Sequence, residues 1–322
     1  MANKLKAVVL AAGRSTRMHS EKTKVLHKIL GKEIINYLLD SLVACDIAEP
    51  DIIVVVGDNH DEIAGSIQRN VVYALQREQL GTAHALLAAA ERLAGYDGEL
   101  LVVVGDNPYI TAAALHKLIA SHRQGRAQCT LISAVFSDSP PPYGRIIRDA
   151  RGAILGVIEE KDATPEQRQI REMNASIYLF DSRTVLPLLA GIGNENAKKE
   201  YYLTDIIAIM HRKNLKVEAV QADDCAIAIG INDRRDLQAA QDKFNRQIQQ
   251  RFIIEGGVTI LQAETVTIEH DVQIGRDTVI YPCTYLAAGT CIGNFCAIGP
   301  FTYLKNVRIA DGERVIFEKK EG

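Results

Sequence analysis

The chain has no tryptophan, and aromatic residues make up only 6% of its 322 positions. That is too little for a surface on which nucleic-acid bases stack. Basic residues occur in nothing longer than short pairs, and a net charge of -3 leaves no electrostatic footprint for nucleic acid. No apolar stretch reaches the roughly 18 residues of a membrane span. The first residues, MANKLKAVVLAAG, lead into an apolar segment with no small-residue cleavage site. Neither a secretory leader nor a membrane is expected, and the expected location is cytoplasmic. The six cysteines, Cys45, Cys129, Cys225, Cys283, Cys291 and Cys296, include no C-x-x-C pair. They read as reduced thiols, and Cys291 and Cys296 lack paired metal-ligand spacing. Two phosphate-loop signatures are missing as well: there is no Gly-Lys-Ser/Thr and no G-x-G-x-x-G.

What remains is the composition of an ordinary globular protein, 47% hydrophobic and 24% charged, long enough for two domains. Leu5 to Leu10 (LKAVVL) has the length and β-branching of a buried strand. The stretch Leu10 to His27, LAAGRSTRMHSEKTKVLH, follows. Its small-residue loop Gly13-Arg14-Ser15-Thr16 lets backbone N–H groups approach an anion, and Arg17 and Lys24 add positive charge beyond it. This is an apparatus for a polyphosphate, although a strand-to-loop turn with surface cations has the same appearance.

Further strands are expected at Asp51–Gly57, Val71–Ala74 and Leu100–Val104, with helices over Lys32–Cys45, Asp61–Gln68 and His84–Leu93. Thr82 is the expected N-cap of the last helix, and His84 is expected to be structural. Alternation of strand and helix argues for a mostly parallel α/β sheet, in which ligands sit at the carboxyl ends of the strands. Gly13 to Lys24, Gln76 to Thr82 and Asp106 all fall there. Asp106 reads either as a turn residue or as the carboxylate for Mg²⁺ beside a phosphate loop.

Beyond Thr111 the pattern is mixed. Thr130–Phe136 is a strand, and Ser139-Pro140-Pro141-Pro142-Tyr143-Gly144 is a rigid turn into another. Gly144, Glu159, Asn174 and Thr204 supply backbone, carboxylate, amide and hydroxyl groups suited to a polyhydroxylated ligand such as a sugar. Cys225–Asp233 reads as a late strand, and Asn232 or Asp233 caps a polar helix running to about Arg251, an exposed connector. Ile268, Ile274, Ile280, Leu286, Ile292, Ile298 and Leu304 then recur every six residues, each preceded two positions earlier by a small or β-branched residue. A six-residue period builds a triangular coil with the aliphatic side chains inside. The charged end, Glu313 to Gly322, is expected to fray.

As a set, LAAGRSTRM…KVLH, LQREQLGTAHA, GDNP, YGRI, IEEKDA, EMNASIY, YYLTD and the Gly-x-Asn before the polar helix carry a resemblance. The chain resembles the bacterial bifunctional N-acetylglucosamine-1-phosphate uridyltransferase/glucosamine-1-phosphate acetyltransferase family, with the second half cut short. The resemblance implies an α/β fold. A Rossmann-like nucleotidyltransferase domain would span residues 1–231, a linker helix 232–251, and a short left-handed parallel β-helix of hexapeptide repeats 252–322.

It also implies a reaction: UTP and N-acetylglucosamine 1-phosphate give UDP-N-acetylglucosamine, a peptidoglycan precursor, and pyrophosphate, with Mg²⁺ as cofactor. Leu10, Ala12, Gly13 and Lys24 would meet the nucleotide, and Arg17 and Lys24 would be catalytic at the phosphates. Gln76, Gln79, Gly81 and Thr82 would read uracil. Asp106 and Asn232 would hold Mg²⁺, and Gly144, Glu159, Asn174, Thr204 and Asn232 would bind the sugar phosphate. A homotrimer through the β-helix is implied, and no acetyltransferase activity is expected. Alternatives are another sugar 1-phosphate such as glucose 1-phosphate, another nucleoside triphosphate, or a non-catalytic subunit that senses nucleotide sugars. Three departures from the family pattern stand out: Ser15 where Gly is usual, Thr23 where Pro is usual, and Asn174-Ala175-Ser176 in place of Asn-Thr-Gly.

Overall fold

Strand formation follows from the β-branched runs, and their burial on both sides follows from the helices between them. The computed structural model describes residues 4–13, 15–138 and 140–322. Arg14 of the expected phosphate loop, Ser139 of the proline-rich turn and residues 1–3 lie outside that set. The chain divides into two compact units: residues 1–26 with 34–231, and residues 27–33 with 232–322.

In chain order the elements are β1 (Leu5–Leu10), β2 (Lys28–Ile29), β3 (Lys32–Glu33), α1 (Ile34–Val43), β4 (Ile52–Val56), α2 (His60–Ser66), β5 (Val72–Leu75) and α3 (Thr82–Ala88). There follow β6 (Glu99–Val104), α4 (Ala112–Gly125), β7 (Cys129–Val135), β8 (Arg145–Arg148), β9 (Ile154–Ile158), β10 (Glu172–Asp181), α5 (Ser182–Leu188), α6 (Asp205–Arg212), β11 (Val217–Gln221) and α7 (Arg234–Ile254). In the first unit the strands form one sheet in the order β11-β7-β10-β6-β1-β4-β5, with β8 pairing β10 and β9 pairing β8. Strands β6, β1, β4 and β5 run parallel, and β10 lies antiparallel between β6 and β7. Alternate residues of β1 feed opposite layers. Ala7 and Val9 pack with Leu38, Leu42, Leu115 and Leu118 of α1 and α4, whereas Val8 packs with Leu86, Ile206 and Met210 of α3 and α6. Cover on both faces is why these strands read as unbroken apolar runs. The Rossmann-like arrangement leaves the carboxyl ends of β1, β4, β5 and β6 side by side.

Several local expectations are corrected. Helix α1 starts at Ile34, because Lys32–Glu33 pairs with Lys28–Ile29 as a small ribbon. Gly81, not Thr82, is the N-cap of α3; its φ of 121° and ψ of 178° suit glycine, and the Thr82 hydroxyl instead accepts a bond from the Leu203 N–H at 2.9 Å. That helix ends at Ala88 and gives way to a 3₁₀ turn, Ala90–Leu93. Cys225–Ala228 is a 3₁₀ turn and not a strand, capped by the Asp224 carboxylate on the Ala226 N–H. Ile227 and Ala228 reach the core from that turn.

In the second unit the six-residue period becomes three parallel faces of a short left-handed β-helix. One stacks Thr259–Ile260, Val279–Ile280, Ala297–Ile298 and Arg314–Val315. Another stacks Thr267–Ile268, Thr284–Leu286, Thr302–Lys305 and Lys319–Glu321. The third stacks Gln273–Ile274, Cys291–Ile292 and Arg308–Ile309. Ile268, Ile280, Leu286, Ile298 and Leu304 fill the interior. After Leu304 the step shortens to five residues, and Ile309 and Val315 continue the inner row. The segment Glu313 to Gly322 is therefore not frayed: its backbone extends two faces, and the Tyr303 N–H donates to the Glu318 carbonyl at 2.9 Å.

Helix α7 opens with a capping box, Asp233 with Asp236. It is no exposed connector. Phe252 and Ile248 pack into the β-helix core, and two amides dock the helix. Asn245 Nδ2 donates to the Val266 carbonyl at 2.8 Å, and its Oδ1 accepts from the Ile268 N–H at 3.0 Å. Buried Gln249 donates to the Ala263 and Val266 carbonyls at 2.8 and 2.7 Å. These bonds satisfy backbone carbonyls at the mouth of the coil, where no further strand pairs with them. The ribbon β2–β3 belongs to the same unit, with the Leu30 carbonyl accepting from the His270 N–H at 3.1 Å.

Candidate active site

The loops after β1, β4, β5 and β6 are tied edge to edge by backbone bonds. The Ala11 N–H donates to the Val55 carbonyl at 2.8 Å, the Gln76 N–H to Val56 at 2.8 Å, and the Gly105 N–H to Leu10 at 2.9 Å. Leu10, Ala12 and Gly13 thus sit on one rim with Gln76 and Asp106. Gly13 is exposed, with nothing within 4 Å of the position a Cβ would take. That open space is what a phosphate needs to reach the backbone N–H groups. Arg17 lies on the exposed turn Thr16–Met18.

Lys24 is brought to Asp106 by its own loop. Its Nζ forms an ion pair with Asp106 Oδ2, both side chains about four-fifths buried. The Lys24 N–H donates to Ser15 Oγ at 2.7 Å. One residue earlier, the Thr23 N–H and hydroxyl both donate to the Glu62 carboxylate on α2, the hydroxyl at 2.5 Å. The residues that depart from the family pattern at 15 and 23 therefore fasten this loop. Nothing in the sequence spacing marks Glu62 for this part.

On the β5 side, Gln79 Nε2 lies 2.7 Å from the Cβ position of Gly57, so a side chain at this position after β4 would displace the amide. Gln76 is buried, its Nε2 3.2 Å from the Gly81 carbonyl and 3.0 Å from His84 Nδ1. Gly81 lies flush against Tyr201: the Tyr201 N–H donates to the Leu80 carbonyl at 2.7 Å, and the Ala83 N–H donates to the Tyr201 carbonyl at 2.9 Å. This clamp links the β5 loop to the segment leading into α6.

That segment carries Thr204, whose hydroxyl donates to Glu159 Oε1 at 3.1 Å. Gly144 faces the same carboxylate, and its carbonyl accepts from the Asn174 N–H at 2.9 Å. Gly144, Glu159, Asn174 and Thr204 thus form one cluster. Desolvation raises the Glu159 carboxyl above the usual carboxylate range, against the pull of the Thr204 hydroxyl. Asn174 is 4% exposed. Its Nδ2 donates to the Tyr178 hydroxyl at 2.6 Å, and its Oδ1 is buried with no partner. Ser176, where the family has Gly, holds a left-handed φ of 56° in the bulge of β10. Glu160 turns away from the cluster and pairs with buried Arg145 and with Arg168. Glu159 also lines a cavity of about 370 Å³ with Asp162, Asp205 and Tyr202, whose buried hydroxyl has no partner. Gly144, Asn174 and Thr204 are not among the residues lining it. Asn232 falls in the second unit, where its N–H donates to the Asp236 carboxylate at 2.8 Å. Gly57, Tyr178 and Tyr202 join His84 and Glu62 as residues whose part only the fold reveals.

A family model described as nucleotidyl transferase matches residues 6–226. The chain belongs to this family. Among curated relatives, the bifunctional protein GlmU of Brevibacillus brevis is 39% identical over 315 residues, covering 98% of this chain and 68% of that protein. GlmU of Pelotomaculum thermopropionicum is 42% identical over 311 residues, 97% of this chain and 67% of the relative. GlmU of Halalkalibacterium halodurans is 39% identical over 305 residues, 95% and 66%. The chain is GlmU-like from end to end and spans about two thirds of these relatives' length. As a nucleotidyltransferase it is an enzyme, and the rim built from Gly13, Lys24, Gln76 and Asp106 lies within the matched residues. No described helix is long and apolar enough to cross a membrane.

Proposed function

We propose that this nucleotidyltransferase takes UTP and N-acetylglucosamine 1-phosphate and forms UDP-N-acetylglucosamine and pyrophosphate, a step towards peptidoglycan precursors. The observation that carries the reading is the buried Asn174 side-chain amide, which has one polar atom bonded to the Tyr178 hydroxyl and the other without a protein partner, on a residue whose N–H bonds the Gly144 carbonyl. A buried acceptor calls for a donor. A sugar hydroxyl or an acetamido N–H provides one.

The sugar phosphate oxygen attacks the α-phosphorus of UTP in line. A new P–O bond forms as the bond to the β-phosphate oxygen breaks, and its electron pair leaves with pyrophosphate. Lys24 and Arg17 offset the charge on the phosphate oxygens, while the rim at Gly13 gives the phosphates access to backbone N–H groups. Asp106 would help to hold a Mg²⁺ ion, which would supply further charge neutralisation at the phosphates. Asp106 suits that role as a hard oxygen donor at the strand edge, and Gly230 leaves open the space that a Cβ would occupy 3.0 Å from Oδ1. Among the described residues no group of three or more His, Cys, Asp or Glu is placed to hold a metal. Mg²⁺ binds through few protein oxygens and keeps several waters, so Asp106, with Asn232 as the second donor that the family resemblance implies, would fit it. The proposed assembly is a homotrimer through the β-helix.

The test is pyrophosphate release with Mg²⁺ and UTP, comparing N-acetylglucosamine 1-phosphate with glucose 1-phosphate. The expected result is a higher kcat/KM for the N-acetylated sugar, and a fall of about 10²–10³ in kcat for Lys24→Ala. Equal or better use of glucose 1-phosphate would overturn the substrate assignment. Undiminished turnover in Lys24→Ala would overturn the role of that lysine.

A further inference from the structure

Gln76 follows β5 and is 3% exposed. Its Nε2 lies 3.2 Å from the Gly81 carbonyl. A backbone carbonyl only accepts, so the amide nitrogen and not Oε1 must face it. The same nitrogen lies 3.0 Å from His84 Nδ1. One N–H of Gln76 is taken by Gly81, and the other points at the imidazole. Facing an N–H donor, His84 Nδ1 takes the acceptor's part in this contact. The ring is half-buried against Tyr201, with centroids 6.5 Å apart.

We infer that His84 is a positioning residue that holds the Gln76 amide with Oε1 as the only group left for a ligand, and so selects bases that carry a ring N–H. The inference rests on the proposal that Gln76 meets the base. Uracil bears a hydrogen on N3, which such an acceptor takes. Cytosine bears a lone pair on N3, and two acceptors then face each other. Selection comes as much from that mismatch as from the bond formed with uracil. The Gly81 carbonyl alone leaves one N–H of Gln76 without a partner. With His84 accepting the second, turning the amide over breaks two bonds instead of one. His84 touches neither base nor phosphate in this account. Its whole effect runs through the orientation of Gln76.

The experiment compares kcat/KM for UTP and for CTP, at fixed N-acetylglucosamine 1-phosphate, in the wild type, His84→Phe and His84→Asn. Phenylalanine keeps the ring packing on Tyr201 and removes the acceptor. Asparagine restores an acceptor near the place of Nδ1. The expected result is a strong preference for UTP in the wild type. In His84→Phe that preference falls about tenfold, as for one lost hydrogen bond. Most of the loss appears in KM for UTP while kcat changes little, and His84→Asn recovers much of the preference. A helix residue with a purely structural role would lower both nucleotides alike and leave their ratio unmoved. An unchanged UTP/CTP ratio in His84→Phe, or an equal loss with both nucleotides, overturns the inference. A wild type that uses UTP and CTP equally, or neither, overturns instead the reading that Gln76 meets the base. Should His84→Phe fail to fold, the smaller His84→Leu carries the same comparison.

Discussion

Substituting three glycines separates what the backbone needs from what the ligand needs. At Gly81, φ is 121° and ψ 178°, a region essentially confined to glycine. Forcing alanine into it costs about 1–3 kcal/mol. Its Cβ would stand 2.5 Å from the Tyr201 carbonyl oxygen and 2.7 Å from the Tyr201 nitrogen. Both are backbone atoms fixed by bonds to Leu80 and Ala83, so neither can swing aside. Overpacking of this kind adds about 1–3 kcal/mol. Gly81→Ala is therefore expected to destabilise the fold by about 3–4 kcal/mol, a large share of a typical total of about 5–15 kcal/mol. At Gly13 nothing lies within 4 Å of the Cβ position. Gly13→Ala is expected to change stability by less than about 0.5 kcal/mol, yet to weaken UTP turnover by placing a methyl where phosphate approaches. Gly65, exposed in α2 and equally unobstructed, is expected to give a gain of about 0.5–1 kcal/mol when changed to Ala. Urea unfolding followed by tyrosine fluorescence reads all three, since the chain has no tryptophan. A loss below about 1 kcal/mol at Gly81, or one of similar size at Gly13, would refute the argument.

Two further predictions concern Glu159 and the β-helix. The folded pKa of Glu159 lies above its ordinary value of 4.5, because burial disfavours the charge. The stability this brings is complete below the ordinary value and is lost as pH rises through the raised one. Glu159→Gln removes that loss, so its urea midpoint should exceed the wild type's at about pH 8 and converge with it at about pH 4; a gap independent of pH contradicts the sign. On the β-helix, Phe301 and Phe317 stack with centroids 5.7 Å apart yet remain 63% and 70% exposed. If the proposed trimer uses this face, Phe317→Glu shifts the mass in light scattering towards monomer, and an unchanged mass removes this face from the proposed assembly.

Strands β1, β4 and β6 were legible because both faces are covered, which leaves unbroken Val/Ile/Leu runs. The β-helix was legible because its period repeats. Helix α4 was not, because Leu115, Leu118 and Ile119 are its apolar stripe amid Ala, His and Lys. The short α5, with Pro187 inside it, and the edge strand β11 carry still weaker patterns. Cys225–Asp233 reads as a strand because its first residues form a contiguous apolar run; β11 occupies the edge of β7, and the run enters the core from a 3₁₀ turn instead. The polarity of α7 suggested solvent, but Asn245 and Gln249 are polar because they bond the first coil of the β-helix. At the site, the residues proposed to face a ligand are the ones that carry motifs in the sequence. Residues that hold those residues, such as Gly57, Glu62 and His84, act across the fold and leave no local spacing to read.

Ser15 and Thr23 show how this chain fastens its loop through side-chain bonds. Glycine and proline, usual at these positions in the family, set a loop through the backbone alone: glycine by allowing close approach, proline by fixing φ and removing a donor. Threonine at 23 returns an N–H that proline lacks, and that N–H would be left without a partner in a largely buried segment. Glu62 takes it up, together with the Thr23 hydroxyl. Serine at 15 adds an acceptor, and the N–H of Lys24 meets it. The stiffness that proline imposes in both folded and unfolded chain is replaced by bonds that exist only in the fold. Lys24 meets Asp106, and the residue before it is tied to a carboxylate 39 residues away. Thr23 and Glu62 consequently form a single unit. A proline at 23 would leave Glu62 without its donors, and loss of Glu62 would strand the Thr23 N–H.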